Sequence, residues 1–334
     1  MAASSRGNQV LVTGGAGFIG SHLVEELVRQ GRCVTVIDNL STGRRSNLTP
    51  IPVDRLTFIE DDLSTAIPSL DPADFDEIYH LAAAVGVRLV VEKPIYTIEN
   101  NIQESLSILQ FAARAAVPTM LASTSEVYGK SGTIPFAESD DLVLGPTTEP
   151  RWAYACSKAI DEFLGLAWFR DHGLPVSIVR FFNTVGPRQS GTWGMVLPRF
   201  VAAARAGEPL QVYGDGDQCR CFCDVRDVAT LLPRLLHDSR AIGSILNVGR
   251  DEAITIAGLA ERVVRILQSD SPIQFVPYEA AYGRPFEDMM QRQPDISRIR
   301  DWFSFEPTID LDQTIRDLAN SMDHDRDPAE LDRD

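Results

Sequence analysis

The stretch VLVTGGAGFIGSH, residues 10–22, decides the fold of this 334-residue chain. An apolar run leads into a turn that contains Gly14, Gly17 and Gly20, and a helical pattern follows. The first glycine permits a tight turn, the second lets the backbone approach a pyrophosphate, and the third lets the helix pack closely on the strand. Because a helix N-terminus offers free N–H groups, the stretch predicts a dinucleotide site.

The second apolar run, VTVID, ends at Asp38. A carboxylate at this place is positioned to accept hydrogen bonds from the adenosine ribose hydroxyls, and its charge would repel a 2′-phosphate. The sequence therefore predicts NAD rather than NADP. A glycine turn without a ligand is the alternative, and the strand–turn–helix–strand order disfavours it.

Strand and helix patterns then alternate along the chain. Helices are predicted at 98–116 and 155–172, and the predicted strands have the sequences LTFIE, EIYHLAAA, TMLASTS and PVSIVRFFN. This order predicts an α/β fold: a doubly wound parallel (Rossmann) sheet with helices on both faces. We expect a dinucleotide-binding domain at 9–186 whose sheet is completed by later segments, a smaller substrate-binding lobe at 187–320, and a disordered acidic tail at 321–334.

The composition excludes several classes of partner. A net charge of −16 leaves no basic stripe for nucleic acid or an acidic membrane. The N-terminal residues are too polar for a signal peptide, and no apolar run is long enough to span a membrane. An odd number of cysteines, five, indicates reduced thiols and a cytoplasmic location.

Three of these cysteines lie in the segment CRCFC, at positions 219, 221 and 223. Alternate residues of one strand share a face, so these thiols could converge. Zinc sites, however, usually contain Cys-x-x-Cys pairs with further ligands. We therefore expect no metal site here.

A candidate catalytic pair lies in the segment RWAYACSKAIDEF. Tyr154 and Lys158 are four residues apart on a predicted helix and therefore on one face. The ammonium and a positive nicotinamide ring would lower the pKa of the tyrosine. Tyr154 could then take a proton from a sugar hydroxyl while NAD takes the hydride. The spacing alone is common on exposed helices, but the preceding dinucleotide motif favours catalysis.

The chain resembles the extended short-chain dehydrogenase/reductases that act on nucleotide sugars. The resemblance runs from about residue 9 to residue 318 and rests on the motifs TGGAGFIG, DNLSTG, HLAA, STSEVYG, YACSK, RFFNTVGPR and VYGDGDQCRCF. It implies that the 187–320 lobe binds a nucleotide sugar. It also implies a homodimer formed through the two predicted helices.

The resemblance implies a role for each of the following residues. The NAD-binding residues would be Gly14, Gly17, Phe18, Ile19, Gly20, Asp38, Asn39, Asp62, Leu63, Leu81, Ala82, Ala83, Asn100, Tyr154 and Lys158. The substrate-binding residues would be Thr124, Asn183, Tyr213, Arg220 and Arg292. The catalytic residues would be Thr124, Ser125, Glu126, Tyr154, Lys158 and Arg292.

The segment Thr124–Ser125–Glu126 bears on the reaction. Family members first oxidise C4 of the sugar, and the neighbouring acids and bases select the second step. Many 4,6-dehydratases have an aspartate where this chain has Ser125, and 4-epimerases need no carboxylate. The order found here is similar to that of UDP-glucuronate decarboxylases, although GDP-mannose dehydratases share it.

The resemblance therefore predicts decarboxylation of UDP-glucuronate to UDP-xylose or UDP-4-keto-pentose. A C4 ketone makes the C6 carboxylate a β-keto acid, and Tyr154 and Thr124 would stabilise the enolate left by CO2. Arg292 would lie near the sugar carboxylate as a proton donor, and Ser125 and Glu126 would act at C5 and C6. The alternatives are a UDP-glucose or UDP-glucuronate 4-epimerase, a 4,6-dehydratase, and an NAD-sensing regulator. The regulator is disfavoured because Tyr154 and Lys158 are both present.

Overall fold

Fourteen strands are present in the part of the chain that the computed structural model describes, residues 8–86, 90, 92–191, 194–282 and 289–324. They are β1 (Gln9–Thr13), β2 (Cys33–Ile37), β3 (Leu56–Ile59), β4 (Glu77–His80), β5 (Thr119–Thr124), β6 (Val176–Phe181), β7 (Thr184–Val185), β8 (Leu210–Tyr213), β9 (Cys219–Cys221), β10 (Cys223–Asp224), β11 (Ile245–Val248), β12 (Ala253–Thr255), β13 (Ile273–Val276) and β14 (Gln291–Arg292). Seven of them form a parallel sheet in the order β11-β6-β5-β4-β1-β2-β3. The predicted doubly wound parallel sheet is confirmed.

Helices cover both faces of this sheet. Other helices pack in the C-terminal part of the chain. The helices are α1 (Phe18–Arg29), α2 (Leu63–Ala66), α3 (Pro94–Ala113), α4 (Trp152–His172), α5 (Val196–Ala206), α6 (Val225–Leu235), α7 (Ile256–Leu267), α8 (Tyr278–Tyr282), α9 (Ser297–Phe303) and α10 (Leu311–His324). Short 3₁₀ helices lie at Arg45–Leu48, Ile67–Ser69, Pro72–Asp74 and Ser125–Tyr128. Within the described ranges, no helix combines the length and the apolar character needed to cross a bilayer.

The alternation of side chains along β1 explains why both faces are covered. Val10 and Val12 belong to a core that also contains residues of α1 and α6. Leu11, between them, belongs to the core on the opposite face, with residues of α3. A strand buried on both faces must be apolar throughout, as the run VLV is.

The two long helices begin earlier than the sequence predicted. The first starts at Pro94 rather than residue 98, since proline lacks an N–H and suits the first turn of a helix. It ends at Ala113 rather than residue 116, and Ala116 has a positive φ of 51°. The second starts at Trp152 rather than residue 155.

The C-terminal part of the chain forms three small sheets, β12-β9-β14, β13-β8 and β10-β7, around a third core. Strand β11 instead pairs with β6 at the edge of the main sheet. Residues 321–324, expected in the disordered tail, belong to helix α10, and the rest of the tail lies outside the described residues. The division at residue 187 stays a prediction.

The segment CRCFC does not form the single strand that we expected. Strand β9 ends at Cys221 and pairs with β12 and β14, whereas β10 begins at Cys223 and pairs with β7. The interruption falls at Phe222, whose side chain is buried. All five cysteines are free thiols.

Candidate active site

A cavity of about 620 Å³ opens at the carboxyl ends of the parallel strands. Gly14 follows β1, Asp38 follows β2, Leu81 follows β4, Thr124 ends β5 and Asn183 lies just after β6, and all five line the cavity. Open parallel sheets bind their ligands at this edge. The C-terminal lobe closes the other side.

All the site residues predicted from the sequence line this cavity except Asp62 and Ser125. Asp62 instead accepts a hydrogen bond from the side chain of Asn39 at 2.7 Å, and its neighbour Asp61 lines the cavity. Ser125 is fully buried in the 3₁₀ turn after β5. Its hydroxyl has no hydrogen-bond partner among the described residues. Successive side chains of such a turn point about 120° apart, which separates Ser125 from Glu126.

The glycine turn forms a cradle that admits no side chain. Gly14 has a φ of +70°, and a Cβ there would lie 2.7 Å from the backbone nitrogen of Ala82. A Cβ at Gly20 would collide with the carbonyl oxygen of Gly14. The N-terminus of α1, whose first N–H groups have no partner within the helix, lines the cavity beside this turn.

Asp38 completes this end of the cavity. Its two carboxylate oxygens accept hydrogen bonds from the backbone nitrogens of Ala16 and Leu40, both at 2.9 Å. Burial raises the pKa of Asp38, and these backbone donors oppose the shift. A buried carboxylate beside a glycine cradle fits the adenosine ribose and pyrophosphate of a dinucleotide.

Tyr154, Thr124, Glu126, Asn183 and Arg292 meet at the other end. The hydroxyl of Thr124 favours the ionised form of the Tyr154 phenol. Arg292 donates to Asn183 Oδ1 at 2.8 Å and to Glu126 Oε1 at 3.2 Å. Apart from Thr124 and Glu126, these residues lie far apart in the sequence, and the fold brings them together at the cavity.

The protein's own groups raise the pKa of Tyr154. Burial is the largest cause, and the negative charge of Glu126 is the next. Asp161 also raises it, whereas Thr124 and Arg292 lower it. The ammonium of Lys158 donates to Asp161 Oδ2 at 2.7 Å, so its charge is already matched within the helix.

Several residues that line the cavity were not predicted from the sequence. Glu104 on α3 lines the cavity, and its Oε2 is buried without a hydrogen-bond partner among the described residues. Its spacing of four from Asn100 was the available signal, since these positions share a helix face. Arg199 lies over the ring of Tyr213, 4.3 Å from its centre. Arg151 and Arg188 line the cavity too.

Comparison with known proteins agrees with this geometry. Residues 11–318 match the family model described as GDP-mannose 4,6 dehydratase. The chain is 39% identical over 312 residues to a UDP-N-acetyl-alpha-D-glucosaminuronate decarboxylase of Bacillus cytotoxicus, covering 92% of this chain and 95% of the relative. It is 34% identical over 323 residues to UDP-glucuronic acid decarboxylase 1 of Danio rerio, covering 95% of this chain and 74% of the relative.

A solved structure with the same fold is the UDP-glucuronic acid 4-epimerase of Bacillus cereus in complex with UDP-glucuronic acid and NAD. The TM-score is 0.83 at 27% identity, and the match covers 95% of this chain and 99% of the epimerase.

Glu104 should make the stability of the protein depend on pH. Burial, and then the negative charge of Asp62, raise the pKa of Glu104 to about 7. When the pKa of a carboxyl group is higher in the folded state than in the unfolded state, the protein loses stability as the pH rises from the unfolded-state pKa to the folded-state pKa. Without ligand, Glu104→Gln should therefore melt a few degrees higher than the unmutated protein at pH 8, with little difference at pH 4.5.

Thermal unfolding across this pH range measures the effect. Glu99→Gln, which removes an exposed carboxylate from the same helix, is the matched control and should leave the pH dependence unchanged. A Glu104→Gln protein that follows the wild-type curve at every pH would contradict the prediction.

Asp38 should decide between the two dinucleotides. Calorimetry should find NAD bound far more tightly than NADP. Asp38→Ala should weaken NAD binding about tenfold or more, because a hydrogen bond to a charged group contributes about 1.5–3 kcal/mol. The same change should narrow the difference between the affinities for NAD and NADP. Asp38→Asn, which keeps a hydrogen-bond acceptor without the charge, should have intermediate affinities for the two dinucleotides. Equal affinities in the unmutated protein would overturn the assignment.

Proposed function

We propose a function from one established premise: this chain belongs to the GDP-mannose 4,6-dehydratase family of extended short-chain dehydrogenase/reductases. It is an NAD-dependent enzyme that oxidises C4 of a UDP-sugar. The reaction that the site supports best is the decarboxylation of UDP-glucuronate to UDP-xylose or UDP-4-keto-pentose. The observation that supports this choice is the contact of Arg292 with Glu126 and Asn183 beside Tyr154.

An arginine at this place suits a substrate with a carboxylate at C6. The planar guanidinium matches the two oxygens of a carboxylate, and it stays charged at all relevant pH values. Both Arg292 and Glu126 have side chains that are mostly buried, at 13% and 17% exposure, so their charges are poorly screened. A substrate carboxylate would thus compete with Glu126 for Arg292.

The oxidation step belongs to Tyr154. Its oxygen lies beside Thr124, and in the phenolate form it takes the proton of the C4 hydroxyl and becomes the phenol. When bound, NAD supplies the hydride acceptor for this step. Gly14 and Asp38 fit the pyrophosphate and ribose of the cofactor, and Lys158 lies on the same face of α4 as Tyr154.

The loss of CO2 follows from the C4 ketone. The bond between C5 and C6 breaks, its electron pair forms an enolate across C4 and C5, and Tyr154 and Thr124 donate hydrogen bonds to the enolate oxygen. Glu126 repels the carboxylate before it leaves, which favours the transition state. A proton delivered to C5 on the side of Arg292 and Glu126 completes the 4-keto-pentose.

UDP-N-acetylglucosaminuronate is a second candidate substrate. The relative from Bacillus cytotoxicus that is named for this sugar is 39% identical, against 34% for the relative from Danio rerio that is named for UDP-glucuronate. The two sugars differ at C2 and share the carboxylate at C6. The same chemistry at C4, C5 and C6 serves both.

The C-terminal lobe, residues 187–320, binds the nucleotide in this proposal. Tyr213, Arg220 and Arg199 line the cavity on that side, and arginines suit a diphosphate. The dinucleotide domain is then 9–186, completed by β11. The free thiols are consistent with the cytoplasm as the location of the protein.

The protein forms a homodimer through α3 and α4 in this proposal. The two helices pack side by side and leave large apolar side chains exposed, among them Ile95 at 71% and Phe163 at 67% exposure. Ile98 and Ile160 are exposed on the same two helices. Exposed apolar side chains on two packed helices suit a protein–protein contact.

The reaction is tested by offering NAD with UDP-glucuronate, UDP-N-acetylglucosaminuronate, UDP-glucose and GDP-mannose separately. Mass spectrometry and proton NMR should find loss of CO2 from a hexuronate. Conversion of UDP-glucuronate to UDP-galacturonate without change in mass would mean a 4-epimerase, and loss of water from a hexose would mean a dehydratase.

Variants of Arg292 extend this prediction. Arg292→Ala should reduce turnover of the hexuronate at least about thirtyfold, because truncating one partner of a buried charge pair costs about 2 kcal/mol or more. The affinity for UDP alone should change little. Arg292→Lys keeps the charge without the planar guanidinium, and its turnover should lie between those of Arg292→Ala and the unmutated protein. Unchanged turnover by Arg292→Ala would favour 4-epimerisation.

The dimer is tested at the most exposed aromatic side chain of α4. Phe163→Glu should give a monomer by light scattering at micromolar concentration, because a carboxylate replaces an apolar contact. Phe275→Glu, a change at an exposed phenylalanine of β13, is the control and should leave the mass at two chains. A monomeric unmutated protein would refute the proposal.

A further inference from the structure

The segment Asn183–Ser190 lies just after β6 and runs from the catalytic end of the cavity to the cofactor end; we call it the strap. Most of its residues line the cavity. At its start, Asn183 accepts a hydrogen bond from Arg292 at 2.8 Å. Near its end, Arg188 contacts α1, the helix that follows the glycine turn. The strap therefore lies against both ends of the site.

An ion pair and a hydrogen bond join Arg188 to α1. Its guanidinium donates to Glu25 Oε1 at 2.5 Å and to Ser21 Oγ at 3.2 Å. The backbone N–H of Ser21 in turn donates to the carbonyl oxygen of Gly17 at 3.0 Å, within the glycine turn. The side chains of Arg188 and Glu25 are 19% and 34% exposed, so water screens their attraction less than that of a pair on the open surface.

The backbone of the strap contacts the same helix. The carbonyl oxygen of Pro187 lies 3.0 Å from His22 Nε2. A carbonyl oxygen can only accept, so the imidazole of His22 donates this hydrogen bond. Burial, and then the positive charge of Arg188, lower the pKa of His22, and the ring is neutral. The backbone and a side chain of the strap are thus both held on α1.

Two features of the strap cost free energy. Arg188 has a φ of +68°, a left-handed conformation that is strained for a residue with a Cβ. Gln189 donates through Nε2 to the carbonyl oxygen of Thr184 at 3.1 Å, whereas its Oε1 is buried and has no hydrogen-bond partner among the described residues. Strain of this kind is concentrated at ligand clamps, and a buried acceptor without a donor calls for an explanation. A simple connection between two parts of the chain would need neither feature.

We propose that Arg188 is a positioning residue for the cofactor: its ion pair with Glu25 holds the strap against α1, and the strap keeps bound NAD in the cavity. A dinucleotide at the glycine turn is then enclosed between α1 and the strap, and it leaves after this ion pair has opened. The inference rests on the proposed placement of NAD at the glycine turn and Asp38. It goes beyond the proposed reaction because it concerns how long the cofactor stays, whichever sugar is bound.

The rate at which NAD leaves the protein tests this inference. The protein is loaded with radiolabelled NAD, excess unlabelled NAD is added, and the label that stays on the protein is measured over time. Arg188→Gln removes the charge and keeps a donor for Ser21. It should release NAD about tenfold faster or more, because the loss of one partner of a charged pair acts mainly on dissociation. The release rate of Arg188→Lys, which keeps the charge, should lie between those of Arg188→Gln and the unmutated protein.

Glu25→Gln separates this role from direct binding of the dinucleotide by Arg188. If the ion pair holds the strap, Glu25→Gln should speed release as much as Arg188→Gln does. The double variant should then be no faster than either single variant, because the two charges act as one pair. If Arg188 binds the pyrophosphate itself, removal of the competing carboxylate would slow release and overturn the proposal.

Arg29→Gln is the matched control. It removes the ion pair of Arg29 with Glu26, at 2.6 Å on the same helix, and should leave the release rate unchanged. An Arg188→Gln protein that melts at a lower temperature without NAD, yet releases NAD at the unmutated rate, would have lost only a structural contact, which would overturn the proposal. If Arg188→Gln does not fold, the release rate of Glu25→Gln decides the question in the same way.

The measurement needs no nucleotide sugar, so it separates this inference from the proposed reaction. Faster release from Arg188→Gln in a protein that decarboxylates no hexuronate would refute the proposed reaction and still support the role of Arg188. Unchanged release from Arg188→Gln and Glu25→Gln in an active decarboxylase would overturn the role of Arg188 alone. An unmutated protein that binds no NAD would overturn both.

Discussion

The backbone of Ala16 joins three segments of the chain, and the geometry of the cavity depends on this junction. Its N–H donates to Asp38 Oδ2 at 2.9 Å, and its carbonyl oxygen accepts from the side chain of Asn47 at 2.8 Å and from the backbone of Arg44 at 3.0 Å. The glycine turn after β1, the end of β2 and the loop that follows it are thereby fixed to one another. Because Ala16 is fully buried, water does not compete for these hydrogen bonds. The N-terminus of α1 and the carboxylate of Asp38 consequently face the same space.

The wall of the cavity is richer in positive charge than the chain as a whole. The chain as a whole has a net charge of −16, yet the cavity wall contains many cationic side chains. They are Arg44, Lys93, Arg151, Lys158, Arg188, Arg199, Arg220 and Arg292. A local cluster of this kind can bind an anionic nucleotide sugar although the overall charge opposes it. At the catalytic end, Arg292 and Lys158 are each held by a buried carboxylate, which fixes their positions before any ligand arrives.

The fold by itself does not select the reaction. Decarboxylases, epimerases and dehydratases share the same sheet and the same oxidation at C4, and the groups near C5 and C6 distinguish them. In the proposed reaction those groups are Glu126 and Arg292, which contact each other. Ser125, the residue between Thr124 and Glu126, is fully buried and does not line the cavity. The decarboxylase proposal therefore depends on a charged pair rather than on the three consecutive side chains that first suggested it.

The sequence alone determined the features that depend on local spacing. The glycine turn, the carboxylate after the second strand and the Tyr154–Lys158 pair are set by the periods of strand and helix, which are the same in every protein. The helix that starts at Pro94 began four residues earlier than expected, since the pattern of apolar residues does not mark a first turn.

Tertiary structure alone decided the contacts between distant residues. Glu126 and Arg292 are 166 positions apart and meet only because β14 pairs beside β9 in the lobe. The pKa shift that packing imposes on Tyr154 was also out of reach, because it arises from burial and from the charges of Glu126 and Asp161. A pKa depends on the sum of desolvation and all nearby charges, and that sum exists only once the chain has packed.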